Sequence, residues 1–215
     1  MQNNAIIEYM QHEVTWDNLV SQPSPYRDSL FKRALDRFNQ QPVNIFQIGA
    51  IETFEDKFRM GSGWSDLWFG SYTKKFGGNY YIADINVDHI ANSLFLANAL
   101  GHQCNARIGD GHYSMQQTMA CDLYYLDGAD ISQSSDAHQQ TLEQFKIVEE
   151  IANNTKQAVS VLVDDVPTKA LDLIKYLDEK GTSYEKLPQF GSGMLYKHWP
   201  DRRSRRQSLP FRCQL

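Results

Sequence analysis

Five short apolar runs in this sequence stop at residues capable of chemistry, and four of the five stops carry an aspartate. VNIFQIG closes on Gln47-Ile48-Gly49, NYYIADI on Asp84, CNARIGDG on Gly109-Asp110-Gly111, DLYYLDG on Asp127, and AVSVLVDD on Asp164-Asp165. Carboxylates gathered in one place raise one another's pKa unless a cation, or the hydroxyls and amines of a ligand, offset the repulsion. Asp84 follows Gly49 by 35 residues. A carboxylate at that point can accept both hydroxyls of a ribose. It can equally be a plain turn residue, and the capping task there is open to Asn86 or Asp88 as well.

The glycines say what the ligand is not. Gly49 is followed by AIETFEDKFRM and then Gly61-Ser62-Gly63-Trp64-Ser65. This is neither a compact GxGxxG nor GxxxxGK[ST]. The missing lysine speaks against an ATPase. The missing tight loop speaks against NAD, whose pyrophosphate wants backbone amides at a helix N-terminus. A cofactor without phosphate tolerates a looser loop.

The apolar runs alternate with helical patterns at 65–76, 87–101, 135–154 and 167–181, where Pro167 suits a first helical turn and Gly101 and Gly181 suit C-terminal stops. An amphipathic helix is expected at 29–40, ended by Pro42. Strands each followed by a helix imply a parallel sheet covered on both faces. At the end, 182–188 and 193–199 are separated by no helix, which is a hairpin signal. The expected architecture is an α/β, Rossmann-like three-layer sandwich with a mostly parallel seven-stranded sheet ending in an antiparallel hairpin. In an open sheet of this kind ligands bind outside the carboxyl ends of the strands, where the aspartates lie. The expected organisation is a helical extension over 1–40, a binding domain over 41–200 and a basic tail over 201–215.

Composition bounds the alternatives. The 215 residues suit one domain, and 41% are hydrophobic, enough for a core. No apolar run approaches the roughly 20 residues a bilayer span needs, and the N-terminal residues do not read as a signal peptide. Three scattered cysteines, Cys104, Cys121 and Cys213, form no CxxC pair. They fit a reducing cytoplasm better than a disulfide framework. The net charge is −5, and the last fifteen residues hold five arginines and one aspartate, so residues 1–200 carry −9. An acidic body is a poor general nucleic-acid binder.

The order VNIFQIG, GSGWSDLWF, YYIADIN, IGDG, DLYYLDGAD, VLVDDV and a terminal hairpin resembles class I S-adenosylmethionine-dependent methyltransferases, closest to the small-molecule O-methyltransferases of the catechol and macrocin type. The resemblance covers roughly residues 40–198. It implies that S-adenosylmethionine is the cofactor, with Gln47, Gly49, Ala50, Ser62, Gly63 and Ser65 around its methionine part. It places Asp84, with Ile85 and Asn86, at the ribose. Gly109, Asp110, Gly111 and His112 fall at the adenine, with Asp110 near the exocyclic amine. Asp127 falls near the amino group and, with Asp164 and Asp165, matches a three-carboxylate oxygen site for Mg²⁺.

The chain departs from the family in two places. The stretch between Gly49 and Gly61 is longer than the family loop, and its aromatic residues Phe54, Phe58, Trp64 and Trp68 read as either an acceptor wall or core packing. Where the family often has DG-x-H, this chain has Asp127-Gly128-Ala129-Asp130, leaving Asp130, His138 or His112 to serve as base beside a catalytic Asp127. The expected activity is methylation of a hydroxyl on a small molecule, with Mg²⁺ assistance, in a cytoplasmic enzyme that is a candidate homodimer. The alternatives are a non-catalytic cofactor-binding protein, an NAD-dependent oxidoreductase and, weakest, a nucleic-acid methyltransferase.

Overall fold

A computed structural model describes residues 14–21, 28–54, 64–128, 136–166, 168–187 and 193–203. The elements are α1 (Trp16–Ser21), α2 (Asp28–Leu35), a 3-10 turn (Asp36–Phe38), β1 (Ile45–Ile48), α3 (Ser65–Phe76), β2 (Tyr80–Asp84), α4 (Val87–Leu100), β3 (Asn105–Ile108), α5 (Gly111–Gln116), β4 (Leu123–Leu126), α6 (Ala137–Thr155), β5 (Val159–Val166), α7 (Leu171–Glu179), β6 (Glu185–Leu187) and β7 (Gly193–Trp199). The strands form a seven-stranded sheet in the order β3-β2-β1-β4-β5-β7-β6. Strands β1 to β5 are parallel, and β7 runs antiparallel to both β5 and β6. This is the expected Rossmann-like sheet with its closing hairpin.

Strands β1, β2, β4 and β5 read as apolar runs because both faces are covered. Successive side chains go to opposite faces. Ile45, Tyr125 and Leu162 join the cluster under α1 to α4. Their neighbours Phe46, Tyr124 and Val161 join the cluster that includes Phe145 of α6 and Leu173 of α7. Helix α2 is drawn in by Phe31, fully buried edge-to-face against Phe69 and Tyr125 at 5.5 and 5.4 Å. Each such pair contributes about 0.5–1.5 kcal/mol beyond its area. Helix α3 is packed all round, with every residue from Ser65 to Thr73 buried. That settles the aromatic question: Trp64 and Trp68 are core, with Trp64 meeting Phe54 edge-on at 6.0 Å. Phe58 lies outside the described residues.

Chain order reverses between β1 and β4, so the connections leaving those strands diverge and open a crevice at their carboxyl ends. Two departures from the sequence reading bear on the site. The last helix begins at Leu171 rather than at 167, because a turn intervenes in which the Lys169 amide donates to the Asp165 carbonyl at 2.9 Å. Pro167 lies outside the described residues. The loop after β3 contains an unexpected short helix, α5, capped by Asp110. None of the helices among the described residues is long and apolar enough to cross a membrane.

Candidate functional site

The crevice is built on glycines that let backbones touch. A Cβ on Gly49, whose φ is 90°, would stand 2.6 Å from the Asp127 carbonyl oxygen. Cβ atoms on Gly111 and Gly128 would stand 2.8 and 2.3 Å from the Ile48 side chain. The ends of β1 and β4 and the start of α5 therefore converge on Ile48 and leave a cleft of about 470 Å³ above it. That is within the usual range for a small-molecule site. Ile85 borders it with 78% of its surface exposed. Among the described residues its lining carries Asp84, Asp110 and Glu143 and neither lysine nor arginine.

Asp84 is held rigidly. The Ala50 amide donates to its Oδ2 at 2.8 Å and the Asn86 amide to its Oδ1 at 2.7 Å, while His89 Nδ1 lies 3.3 Å from Oδ2. An ionised carboxylate has about four acceptor positions, so capacity remains for a ligand hydroxyl. The capping of α4 falls to Asn86, whose side chain accepts from the Asp88 amide at 2.8 Å. Asp110 accepts from the amides of His112 and Tyr113 at 2.8 and 3.1 Å, which fixes it at the N-terminus of α5. Its His112 neighbour is 3.3 Å away. Thus Gly49, Asp84, Ile85 and Gly109 to His112 share one cleft.

Gln47 has a different place. It is buried, and its amide nitrogen donates to the Gly49 carbonyl at 2.5 Å and to Asp66 Oδ1 at 2.8 Å, while its oxygen accepts from Tyr80 at 2.9 Å. It braces the turn after β1 from beneath. Asp66 completes that brace. Burial outweighs its hydrogen bonds and pushes its pKa up to about 6. Ser65 is likewise buried at the start of α3. Ser62, Gly63 and Asp130 lie outside the described residues.

At the other half of the crevice Asp127, Asp164 and Asp165 do come together, with carboxylate oxygens within 4.8 Å of one another. Consecutive strand residues should point to opposite faces. Here a bulge between Val163 and Val166 and a φ of 52° at Asp165 fold the chain back and bring both carboxylates to one side. Asp164 is buried and accepts from the Tyr125 hydroxyl at 2.6 Å. The Asp165 carboxylate meets Lys169.

Lys169 is the residue that sequence reasoning passed over. Its ammonium stands 2.7 Å from Asp127 Oδ1 and 3.0 Å from Asp165 Oδ2, and the residue is 7% exposed. Burial alone would lower its pKa, but the carboxylates of Asp127 and Asp165 more than reverse this and hold it above the ordinary lysine range. The Mg²⁺ expectation meets this observation directly. The donor set has the right chemistry for a hard cation, but an ammonium already bridges two of the three carboxylates. With Lys169 in that position the site does not fit a divalent ion.

A scan against protein-family models finds no match, and neither does a search of curated proteins. Solved structures do match. The chain is similar to an O-methyltransferase from Bacillus cereus in complex with SAH, at TM-score 0.54 and 13% identity over 90% of this chain and 96% of that one. It is similar to magnesium protoporphyrin IX methyltransferase from Synechocystis with bound SAM, at TM-score 0.54 and 10% identity over 92% and 96%. A human methyltransferase 10 domain containing protein matches at TM-score 0.51 and 12% identity over 83% and 84%. The fold is that of the class I S-adenosylmethionine-dependent methyltransferases.

Proposed function

We propose that the chain binds S-adenosylmethionine in the cleft above Ile48 and transfers its methyl group to a hydroxyl of a small molecule. The observation that carries this is the charge of the cleft. Asp84, Asp110 and Glu143 line it with neither lysine nor arginine among the described residues, and His112 is the one imidazole in that lining. That suits a cofactor bearing a sulfonium and an ammonium and repels a pyrophosphate. It is also why the NAD reading falls behind. Asp84 takes the ribose hydroxyls, and Ile85 and the Gly109–His112 turn flank the adenine. In the transfer, the acceptor oxygen forms a bond to the methyl carbon, the carbon–sulfur bond breaks and its electron pair stays on sulfur, giving S-adenosylhomocysteine. The hydroxyl proton leaves to a base. Asp127, whose carbonyl packs on Gly49 at the edge of the cleft, is the first candidate the sequence singled out, with Asp130 the second.

A small acceptor agrees with the −9 charge of residues 1–200, which disfavours nucleic acid. Similarity to an O-methyltransferase supports oxygen as the acceptor atom. A homodimer in a reducing cytoplasm is the setting we propose. The test is calorimetric titration of S-adenosylhomocysteine into the wild type and Asp84→Ala. Micromolar binding that weakens about 10–100-fold in the variant is expected, the size of one or two hydrogen bonds to a charged group. Binding of NADH in place of S-adenosylhomocysteine would overturn the reading. Cofactor binding without turnover of any acceptor hydroxyl would favour an accessory protein.

A further inference from the structure

We propose that the ammonium of Lys169 is the resident cation of the Asp127–Asp164–Asp165 cluster, standing where a divalent ion would otherwise bind, so that this site works without metal. The inference rests on the methyltransferase reading for what the site serves, but its geometry is independent of it. Three features converge. The ammonium lies within hydrogen-bond distance of Asp127 Oδ1 and Asp165 Oδ2. The residue is buried at the start of the segment leading into α7, where a lysine would ordinarily reach for water. Finally, the backbone is bent to make the contact: Asp165 adopts a left-handed conformation, costly for a residue with a Cβ, next to a bulge in β5. The same turn puts the Lys169 amide on the Asp165 carbonyl at 2.9 Å, so residue 165 holds residue 169 through both backbone and side chain.

Lys169 is thereby a positioning residue. It fixes Asp127, whose carbonyl packs on Gly49 at the mouth of the cofactor cleft. The third carboxylate is tied in through Tyr125, whose hydroxyl stands 2.6 Å from Asp164 Oδ2 and 3.2 Å from Asp127 Oδ2. A metal ion would need these oxygens as ligands and would have to expel the ammonium first. A lysine is a compact point charge on a flexible stem, so substitutions can separate its charge from its bulk.

The experiment is titration of Mn²⁺, as a probe for hard divalent ions, into the full-length wild type, Lys169→Met and Lys169→Arg, read by calorimetry and melting temperature. The wild type should take up no Mn²⁺ at millimolar concentration. Lys169→Met, with its carboxylates uncompensated, should gain a Mn²⁺ site and be raised by about 3 °C or more at saturating metal. Lys169→Arg, which keeps the charge, should gain none. A wild-type Mn²⁺ site of micromolar affinity that Asp127→Asn abolishes would overturn the proposal, and this arm decides the matter even if Lys169→Met fails to fold. S-adenosylhomocysteine affinity of the wild type should be the same in EDTA and in Mg²⁺. A loss in EDTA would also overturn the proposal, whereas a protein that never binds S-adenosylhomocysteine would sink the cofactor reading and leave the Mn²⁺ result standing.

Discussion

The two halves of the crevice hold carboxylates in opposite ways. On the β1–β2–β3 side, Asp84 and Asp110 are steadied by backbone amides, at 2.8 and 2.7 Å for Asp84 and 2.8 and 3.1 Å for Asp110, and line an open cleft. On the β4–β5 side, Asp127, Asp164 and Asp165 face one another and are answered by Lys169 and Tyr125. Amides fix a carboxylate without neutralising it, so the first half is prepared for a cationic, hydroxyl-bearing ligand. An ammonium cancels one of the three negative charges and takes the place between two of the carboxylates, so the second half already holds a cation of its own. Aspartates at strand ends are thus two different devices, distinguished by what donates to them.

The largest effect should come from forcing the halves apart. Gly49→Val would place a branched side chain against the Asp127 carbonyl, 2.6 Å from the first added carbon, at a φ of 90°. Overpacking and backbone strain together should cost about 4 kcal/mol. Urea denaturation should show the loss, and cofactor binding should vanish with it. If Gly49→Val kept wild-type stability, the close contact that joins the halves would be wrong.

Next comes a crossed pair of substitutions. Asp164→Ala removes the buried acceptor of Tyr125 and should cost about 3 kcal/mol of stability. S-adenosylhomocysteine affinity should change little. Asp84→Ala should do the reverse, costing about 2 kcal/mol of binding and about 1 kcal/mol of stability, because it gives up a partly exposed carboxylate whose amides can turn to water. Both are read by calorimetry and chemical denaturation on the same preparations. Equal effects of the two variants on both readouts would erase the distinction between the halves.

Much of this contrast was visible in the sequence and its deciding residue was not. The sheet, the closing hairpin and the strand-end aspartates follow from apolar runs bounded by glycine and aspartate. Helix α3 and strand β7 match the patterns at 65–76 and 193–199 residue for residue. Helix α5 was missed because six residues starting at glycine leave no periodicity to detect. Lys169 was missed because its role depends on a bulge and a left-handed Asp165, and a period of two, read along AVSVLVDD, sends the paired aspartates to opposite faces. Asp66 was hidden in the same way. In SDLWFGSYTKKF it reads as an acidic first-turn residue, and only packing on every side of α3 reveals it as buried.

Asp66 supplies a third way of handling a carboxylate at this end of the sheet, by a proton taken up as pH falls through about 6, and it allows the finest test. Its pKa is pushed up to about 6 by burial. Stability from its protonated form is therefore full below the unfolded value of 3.8 and is lost as pH rises through 6. Nearby on the same face, His102 packs against Gly70 of α3, and burial, aided by Lys74, lowers its pKa to about 4. Its contribution is present above the unfolded value of 6.5 and is lost as pH falls toward 4. The two oppose each other across the same window, so acidification from pH 7 to 5 changes the wild type little on their account. Asp66→Asn should leave His102 unopposed and steepen the loss of stability over that interval by about 1–2 kcal/mol. His102→Gln should do the opposite, making the protein more resistant to acidification by a similar amount. Urea denaturation at both pH values, each variant referred to the wild type, gives the two slopes. Slopes of the same sign would mean that the carboxyl beneath Gln47 takes up no proton over this interval, and that burial does not raise its pKa.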